Sequence, residues 1–471
     1  MTPSTTNTPA VSILGAGLGG ALMAVLLARR GFEVDVYERR PDLRRTELSA
    51  GRSINLALAN RGLAALERAG LSTAVRRLLT TMRGRMLHAL DGGQALQPYG
   101  QREDEVIYSV SRPGLNHLLL DAAELYPGVR LHFEHSGTAI DFEQQTLHIQ
   151  NLRSGNTKCM QGGPIICADG ASSRLRRAFV EQTGAEATED FLPHDYKELT
   201  IPAAPGGGYR FDPAALHIWP RGGFMLIALP NKDGSFTATL FAPREGEAGF
   251  DTLHDGVAVQ AYFEEHFANV VPHLPDLAEQ FEDNPQGRMV TVHCAPWRHH
   301  DFTVLLGDAS HAIVPFHGQG MNAAFEDCDT LDTILAQEID GCGGACADVD
   351  WSKVFARFES ERKPNADAIA QMAVENYVEM RDSVRDPLFH RRKEVAFELE
   401  RRFPDVFIPR YSMVMFHRLP YAHALERGRL QQEILERLMP TVQSTVDWSL
   451  AEQLVVDHLR PLVRSLAGER A

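Results

Sequence analysis

A glycine cluster between two short apolar segments constrains the fold of this chain more than any other feature. The apolar segment Val11–Leu14 is followed, at the spacing G-x-G-x-x-G, by Gly15, Gly17 and Gly20, and a second apolar segment ends at Glu38. This pattern predicts strand, tight turn, helix and strand, with a pyrophosphate bound at the turn and the helix N-terminus. Glu38 is at the position where a carboxylate binds a ribose, and it would repel the 2′-phosphate of NADP. FAD and NAD remain as candidates for this site.

Composition narrows the class of protein and its partners. A chain of 471 residues that is 44% apolar can form two or three structural units. Its 47 basic and 62 acidic residues give a net charge of −15, which argues against nucleic acid or an anionic membrane as the main partner. The polar start and the absence of a long apolar run predict a cytoplasmic protein without a membrane anchor. The six cysteines form no C-x-x-C pair, so we expect reduced thiols and no metal site.

Two further strand ends carry acidic residues beside glycine. The apolar segment at 165–167 leads to Asp169-Gly170, and the apolar segment at 302–306 leads to Gly307-Asp308 and a new helix. Asp308 could accept hydrogen bonds from ribityl hydroxyls, and the helix N-terminus could face the flavin N1–C2=O edge, which becomes negative on reduction. Because NAD offers neither group, the two motifs favour FAD.

Residues 85–99 have the pattern of a β-hairpin with Asp91-Gly92-Gly93 as a three-residue loop. Counting outward from that loop places Arg85 directly opposite Tyr99, on the same face of the hairpin. A two-residue loop would place Arg85 opposite Pro98 instead. From the hairpin alone, a solvated arginine on an edge strand is the favoured interpretation of Arg85.

The remainder of the chain predicts a sheet and then helices. Aromatic and apolar segments separated by glycine turns, between about 190 and 290, indicate antiparallel strands, and the chain from Trp351 onward is helical. We predict a helix that starts near Pro364, in which Asn376 interrupts an apolar stripe. Asn376 is either a core residue with satisfied hydrogen bonds or a ligand of a buried molecule. Tyr411 is open to the same two interpretations.

The expected fold class is α/β. A Rossmann-like FAD-binding domain is expected in residues 1–185 and 296–345. A mostly antiparallel β substrate domain is expected in residues 186–295. The C-terminal helical region, residues 351–471, is expected to contribute to the substrate pocket.

The three motifs, in this order and spacing, resemble the aromatic-ring flavoprotein monooxygenases that share the fold of p-hydroxybenzoate hydroxylase. More narrowly, the chain is similar to the kynurenine 3-monooxygenase family from about Val11 to Tyr421. The stretches that carry this likeness are residues 51–56, 109–112, 217–220, 307–322 and 361–367. Membrane-bound members of that family have a C-terminal transmembrane anchor that this sequence lacks, so the resemblance is to the soluble bacterial form.

The resemblance implies a set of site residues. The substrate carboxylate would be held by Arg85, Tyr99, Asn376 and Tyr411. The walls around the substrate ring would be Leu216, Met225, Ile227, Phe241, Pro315, Phe316, His317 and Met380. The FAD contacts would be Gly15, Gly17, Leu18, Gly20, Glu38, Arg39, Arg112, Asp308, Gly320, Met321 and Asn322. His317 takes the place of a phenylalanine found in some relatives, so it is given no catalytic role, and no side chain is expected to act as a catalytic acid or base.

The resemblance also implies a reaction. It is the NADPH-dependent conversion of L-kynurenine to 3-hydroxy-L-kynurenine with O2, through a flavin C4a-hydroperoxide, in tryptophan degradation. No second G-x-G-x-x-G is present for NADPH, so the electron donor would dock transiently. FAD is expected to be noncovalent, because no histidine or cysteine beside the glycine turn or Asp308 suggests a covalent link.

Three alternatives follow from the same residues. A hydroxylase of another aminoaromatic acid would keep every motif. A flavin-dependent halogenase would need a Trp-x-Trp-x-Ile-Pro motif, which the sequence does not contain. A catalytically inactive flavin-binding sensor would bind FAD without substrate-stimulated oxidation of NADPH.

Overall fold

A computed structural model describes residues 10–45, 55–344, 346–381 and 386–468. The chain forms two compact units, each assembled from separate segments. Unit 1 contains residues 1–79, 109–192 and 288–366, and unit 2 contains residues 80–108, 193–287 and 367–471. The hairpin segment therefore belongs to the same unit as the C-terminal helices. The domain boundaries expected from the sequence stay a prediction.

The strands and helices alternate through the first two-thirds of the chain, and helices alone follow. The strands are β1 Val11–Leu14, β2 Val34–Glu38, β3 Asn55–Leu58, β4 Thr80–Met82, β5 Gly84–His88, β6 Gln94–Pro98, β7 Ile107–Ser111, β8 Val129–Phe133, β9 His135–Asp141, β10 Thr146–Asn151, β11 Thr157–Gln161, β12 Ile165–Cys167, β13 Glu186–Ile201, β14 Ala215–Pro220, β15 Met225–Pro230, β16 Phe236–Pro243, β17 Gln286–Ala295, β18 Arg298–His299 and β19 Thr303–Leu305. The α-helices are α1 Leu18–Arg29, α2 Asn60–Arg68, α3 Ser72–Arg76, α4 Arg112–Glu124, α5 Arg174–Thr183, α6 Gly256–His266, α7 Leu277–Asp283, α8 Asp308–His311, α9 Gly320–Gly341, α10 Trp351–Arg381, α11 Pro387–Arg402, α12 Arg410–Met415, α13 Tyr421–Leu438, α14 Trp448–Leu454 and α15 Arg460–Gly468.

The main sheet of unit 1 has the strand order β18-β19-β12-β1-β2-β8, and its strands are parallel except β18. Leu14 of β1 pairs with Cys167 of β12, which pairs with Leu305 of β19. The carboxyl ends of these three neighbouring parallel strands therefore meet at one edge of the sheet. This is the edge at which a nucleotide binds in such folds, and all three predicted motifs begin there. Unit 1 also contains a smaller antiparallel sheet, β11-β10-β9.

The sheet of unit 2 contains β13, β16, β15, β14, β5 and β6, in that order. The pairs from β13 to β14 are antiparallel, whereas β14 and β5 are parallel. One face packs against α6 and α7 through buried apolar side chains that alternate along the strands, including Trp219, Leu226, Ala238 and Leu240. Because strand side chains alternate with period two, the residues between them lie on the opposite face. The predicted α/β fold class, with a mostly antiparallel second sheet and C-terminal helices, is confirmed.

The hairpin register differs from the predicted one. Arg85 pairs with Gln97, and the Ala89 N–H donates to the Gly93 carbonyl, so the three-residue loop is 90–92. The prediction that Tyr99 lies directly opposite Arg85 is wrong by two residues. Two residues are one full period of a strand, so Arg85 and Tyr99 still share a face, as diagonal neighbours.

The C-terminal helices also depart from expectation at one point. Pro364 lies inside α10 rather than near its start. Proline removes one helical hydrogen bond and is unfavourable in a helix interior. However, Val354, Phe355 and Phe358 are fully buried on the preceding turns, so packing stabilises the helix before the proline. None of the helices in the described ranges combines the length and apolar character that crossing a bilayer requires.

A buried chain of histidines lies on the core face of the unit 2 sheet. The His217 Nε2 lies 2.9 Å from the Asp212 carbonyl oxygen, so this nitrogen carries the proton. The other ring nitrogen, Nδ1, then accepts from His88 Nε2 at 2.8 Å, and His88 Nδ1 faces the Asn269 amide at 3.5 Å. Trp219 donates to the same asparagine at 3.0 Å. The chain is complete only when both imidazoles are neutral.

We expect this chain to make unit 2 sensitive to acid. Burial lowers the pKa of His88 to about 3 and also lowers the pKa of His217. A lowered histidine pKa contributes stability that is fully present above the unfolded value of roughly 6.5 and is lost as the pH falls below it. The free energy of unfolding should therefore fall from pH 7 to pH 5, and His88→Gln should reduce that slope by about 1 kcal/mol per pH unit. Denaturant titrations at pH 7 and pH 5 measure the free energy of unfolding of the parent and of the variant.

The matched control for this prediction is His254→Gln, because the His254 side chain is exposed in the same unit. It should leave the slope unchanged. An unchanged slope for His88→Gln would contradict the account of the buried neutral pair.

Candidate functional site

The strand register of unit 2 places predicted substrate residues on the sheet face opposite the helices. Arg85 pairs with Leu216, and Met225 pairs with Phe241. Ile218, two residues after Leu216, pairs with Ile227. Paired residues share a face, and so do residues two apart on one strand. The register therefore brings together, on one face, Arg85, Tyr99, Leu216, Met225, Ile227 and Phe241.

The Arg85 side chain is buried beside two tyrosine rings. Its residue exposure is 7%, and the guanidinium carbon lies 5.8 Å from the centre of the Tyr99 ring and 5.0 Å from that of Tyr411. The two rings are nearly parallel, with centres 5.7 Å apart. Tyr411 is supplied by α12, so the hairpin and the C-terminal helices of unit 2 meet at this arginine. The solvated-edge interpretation of Arg85 is wrong, because the side chain is buried against the rings of Tyr99 and Tyr411.

Among the described residues, no aspartate or glutamate lies within ion-pair distance of Arg85. Its Nε atom and the buried Tyr99 hydroxyl have no hydrogen-bond partner there. Burial acts to lower the pKa of Arg85, but the neighbouring Tyr411, Tyr99 and Glu379 outweigh it and raise the pKa, so the guanidinium is charged without an ion pair. Buried polar groups are nearly always hydrogen-bonded. A guanidinium fork beside an unused hydroxyl is suited to bind a carboxylate through charge-assisted bonds.

Lys393 is a second cation near this site, and the sequence analysis did not find it. On α11, His390 lies 3.2 Å from the Gln97 side chain and Phe397 accepts from Gln101. Lys393 is on the same side of the helix, at spacings of three and four residues, and that periodicity was the available signal. Burial, and then the positive charge of Arg85, lowers the pKa of Lys393 to about 8. Lys393 adds a second cation beside Arg85, and the Glu379 carboxylate acts on both by favouring their charged forms.

Asn376 and Met380 lie one turn apart on α10, and both are buried. The Asn376 amide donates to the Met380 sulfur at 3.4 Å, and Ile369, Met372 and Ala373 are buried around the same stripe. The stripe is confirmed. Because the amide already has contacts, its role as a substrate ligand stays a prediction.

In unit 1, the glycine turn has the close backbone packing that its spacing predicts. A Cβ on Gly20 would lie 2.0 Å from the Gly15 carbonyl oxygen. Gly15 has φ +101°, and a Cβ there would lie 2.4 Å from the Ala168 oxygen. Gly17 differs, because nothing in the protein lies within 4 Å of its Cβ position. This is the open approach that a pyrophosphate requires.

Two carboxylates flank the glycine turn. Glu38 accepts from the Ala16 N–H at 2.9 Å and from the Arg40 backbone and side chain. Burial acts to raise the pKa of Glu38, but the hydrogen bonds and charge of Arg40 outweigh it and lower the pKa, so Glu38 is ionised. Asp169 accepts from the Arg174 N–H with one oxygen, while its buried Oδ1 has no partner among the described residues. The open glycine, the ionised Glu38 and the unused Asp169 oxygen fit FAD.

The side-chain amide of Asn322 is hydrogen-bonded to main-chain groups of other residues. It accepts from the Ala59 N–H at 2.9 Å and donates to the carbonyls of Ala57 and Gly318, each at 2.8 Å. Any contact between this residue and FAD would use its main chain. The sequence analysis could not detect the bonds to Ala57 and Ala59, because these residues are more than 250 positions away.

The remaining predicted residues of unit 1 have different exposures. The exposed ones are Arg39, Arg112, Asp308 and Pro315. The half-buried ones are Leu18, Gly320 and Met321. Phe316 and His317 are buried in a short 3-10 helix, Pro315–His317. Their contacts with FAD or with the substrate ring stay predictions. Residues 51–54, part of the resemblance, lie outside the described residues.

We expect acid precipitation to release all the yellow colour from the purified protein. The structure does place a cysteine beside the glycine turn, since the Cys328 sulfur lies 3.4 Å from the Gly19 carbonyl. Burial raises the pKa of this thiol well above its usual value, and the thiolate is the nucleophile. His311, near Asp308, is bound to a buried carboxylate. Neither residue is suited to link to the flavin. Flavin absorbance that stays with the precipitated chain would contradict this prediction.

Comparisons with known proteins agree with this geometry. Residues 8–373 match the protein family described as FAD binding domain. Kynurenine 3-monooxygenase of Myxococcus xanthus is 45% identical over 460 residues, which cover 97% of each chain. Kynurenine 3-monooxygenase of Stenotrophomonas maltophilia is 45% identical over 444 residues, covering 94% of this chain and 95% of the relative.

Solved structures agree in fold at lower identity. 2-Methyl-3-hydroxypyridine-5-carboxylic acid oxygenase has a TM-score of 0.63 at 18% identity, covering 79% of this chain and 93% of the other. p-Nitrophenol 4-monooxygenase from Pseudomonas putida has a TM-score of 0.63 at 17% identity, covering 93% of this chain and 98% of the other. These neighbours show the fold alone. From the identity with its full-length relatives and from the matched FAD-binding family, the chain belongs to the kynurenine 3-monooxygenase family of FAD-dependent monooxygenases.

Proposed function

We propose that this enzyme hydroxylates L-kynurenine to 3-hydroxy-L-kynurenine with NADPH and O2. The relatives at 45% identity, which are kynurenine 3-monooxygenases, support this substrate. Within the molecule, the observation that carries the proposal is the buried Arg85, which has no carboxylate within ion-pair distance in the described part of the chain. Kynurenine supplies an α-carboxylate on a short aliphatic arm attached to an aminoaromatic ring.

Recognition in this proposal is divided between the two ends of the substrate. Arg85 binds the α-carboxylate with two parallel N–H donors, and the hydroxyls of Tyr99 and Tyr411 add donors beside it. The apolar side chains on the same sheet face, Leu216, Met225, Ile227 and Phe241, contact the ring and keep water away from it. Met380 on α10 is a further proposed ring contact, and the assignment of Pro315, Phe316 and His317 to the ring stays a prediction from the resemblance.

The chemistry requires little from the side chains. Reduced FAD activates O2 so that one oxygen atom is transferred to the ring, and the other leaves as water. The ring amine already makes the neighbouring carbon electron-rich, so no general base is required. Holding the carboxylate fixes the position of that carbon relative to the oxidant, and such orientation is a large part of catalysis.

The direct test is to incubate the purified yellow protein with L-kynurenine, NADPH and air. We expect 3-hydroxykynurenine in amounts that match the NADPH consumed. NADPH oxidation without any hydroxylated kynurenine would overturn the assigned substrate. A second candidate, another aminoaromatic acid, is favoured only if it gives a higher kcat/KM than L-kynurenine in the same assay.

We predict that the carboxylate site controls when NADPH is oxidised. The proposed carboxylate ligands come from the hairpin, through Arg85 and Tyr99, and from the C-terminal helices, through Asn376 and Tyr411. A ligand that bridges these elements favours one closed arrangement by its differential contacts. The analogue of kynurenine without the ring amine should therefore bind competitively and accelerate NADPH oxidation. Because its ring is electron-poor, hydrogen peroxide should accumulate with little hydroxylated product.

NADPH loss, peroxide and product are measured side by side for kynurenine and the deaminated analogue. If the analogue binds but NADPH oxidation stays at its basal rate, occupancy of the carboxylate site does not trigger reduction. If the analogue is hydroxylated as efficiently as kynurenine, the ring amine is not required.

A further inference from the structure

The turn that carries Asp308 has an unusual backbone conformation. Gly307 has φ 62° and ψ −137°, which residues with a side chain rarely adopt. A Cβ at Gly307 would lie 3.0 Å from the Cβ of Ala324 on α9. Such a conformation persists only where surrounding contacts hold it.

One of these contacts comes from a fully buried carboxylate on α9. Asp327 Oδ2 accepts from the Gly307 N–H at 3.0 Å and from His311 Nε2 at 2.6 Å. Asp327 Oδ1 accepts from Arg362 Nε at 2.7 Å. The His311 ring also stacks on Trp297, with centres 5.0 Å apart. Asp327 therefore connects the turn, the short helix α8 and helix α10.

The carboxylate is ionised within a larger buried network. Burial acts to raise the pKa of Asp327, but the adjacent His311 and Arg362 outweigh it and hold the pKa below its usual value. Arg362 also pairs with Glu326 at 2.8 Å, and Glu326 pairs with Arg61 at 2.5 Å. Removing one partner of a buried ion pair leaves an uncompensated charge. Losing any one of the Asp327 contacts should therefore be costly.

We propose that Asp327 is a positioning residue for the flavin, which fixes the Gly307–Asp308 turn in the conformation that contacts FAD. The inference rests on the proposed FAD contact of Asp308. It does not depend on which aromatic substrate the enzyme hydroxylates, so FAD binding tests it separately from the proposed function.

The test is the affinity of the apoprotein for FAD in Asp327→Asn. An asparagine has one oxygen and cannot accept from Gly307, His311 and Arg362 together, so at least one charge-assisted bond is lost. We expect the dissociation constant for FAD, followed by quenching of flavin fluorescence, to rise about tenfold or more. The midpoint potential of the bound flavin should also shift, because the Gly307–Asp308 turn is no longer held in the parental position beside the flavin.

The matched control is Asp332→Asn on the same helix. Asp332 is buried and forms a two-bond ion pair with Arg30, at 2.5 and 2.7 Å, but no contact with the Gly307 turn is among its bonds. Both variants should lower the melting temperature of the apoprotein. Only Asp327→Asn should weaken FAD binding tenfold and shift the potential. Equal effects of the two variants on FAD affinity would overturn the proposal.

A double-variant cycle tests whether Asp327 acts through the turn. Asp308→Ala should weaken FAD binding, and adding Asp327→Asn should weaken it by less than Asp327→Asn does alone, because both act on one contact. Additive effects, or normal FAD binding by Asp308→Ala, would overturn the proposal. If Asp327→Asn does not fold, His311→Leu replaces it, since leucine has no N–H to donate to the same oxygen. FAD binding should then weaken several-fold, and unchanged FAD affinity would overturn the proposal.

Discussion

Replacing Arg85 by lysine should lower kcat/KM for L-kynurenine roughly ten- to a hundredfold, although the charge is kept. Lysine is a point charge and cannot form the two parallel bonds of the guanidinium fork. Losing one charge-assisted bond costs about 1.5–3 kcal/mol, which corresponds to this range. Steady-state kinetics, with product quantified, measures the effect.

Arg83→Lys is the matched control, because Arg83 is exposed and lies two residues away on the same hairpin. Its kcat/KM should equal that of the parent. If Arg85→Lys also retains the parental value, Arg85 is not a substrate ligand, and its burial has only a structural role.

Replacing Gly17 by alanine should weaken FAD binding roughly ten- to a hundredfold while leaving the apoprotein fold intact. The protein leaves the Cβ position of Gly17 open, with no atom within 4 Å, so the added methyl group meets only the cofactor. Overpacking a close contact costs about 1–3 kcal/mol, which sets the expected range. Titration of apoprotein with FAD gives the dissociation constant, and thermal unfolding of the apoprotein reports its stability.

Gly20→Ala serves as the comparison, because it should lower the stability of the apoprotein, which Gly17→Ala should leave unchanged. Its Cβ would lie 2.0 Å from the Gly15 carbonyl oxygen, so the helix and strand must move apart and the apoprotein should unfold at a lower temperature. If Gly17→Ala binds FAD as tightly as the parent, the pyrophosphate does not approach this glycine.

The sequence predicted those features of the fold that local patterns determine. Glycine spacing and apolar strands identified the nucleotide edge of the sheet, and apolar segments separated by glycine turns identified β14, β15 and β16. The hairpin shows the limit of this reasoning. Its loop position was misjudged by one residue, yet the shared face of Arg85 and Tyr99 was correct, because a shift of two residues preserves the alternation.

The sequence analysis missed the interactions that depend on distant parts of the chain. Four acidic residues of α9 pair with arginines that belong to other elements, as in Arg30–Asp332 and Arg362–Asp327. On a helix, Asp and Glu residues are typical of a solvated face. No local signal identifies a partner that lies 302 positions away, as for Arg30 and Asp332, or 35 positions away, as for Arg362 and Asp327. Pro364 was interpreted as a helix start for the same reason, since the burial of Phe355 and Phe358 depends on tertiary packing.

The central claim is that Arg85 binds the carboxylate of the substrate, and one thermodynamic cycle tests it most directly. The kcat/KM values of the parent and of Arg85→Lys are measured with L-kynurenine and with its carboxamide, in which a neutral amide replaces the carboxylate. We expect Arg85→Lys to lose roughly ten- to a hundredfold with kynurenine, but less than about threefold with the carboxamide, because the interacting group is absent. An equal loss with both substrates would contradict the claim.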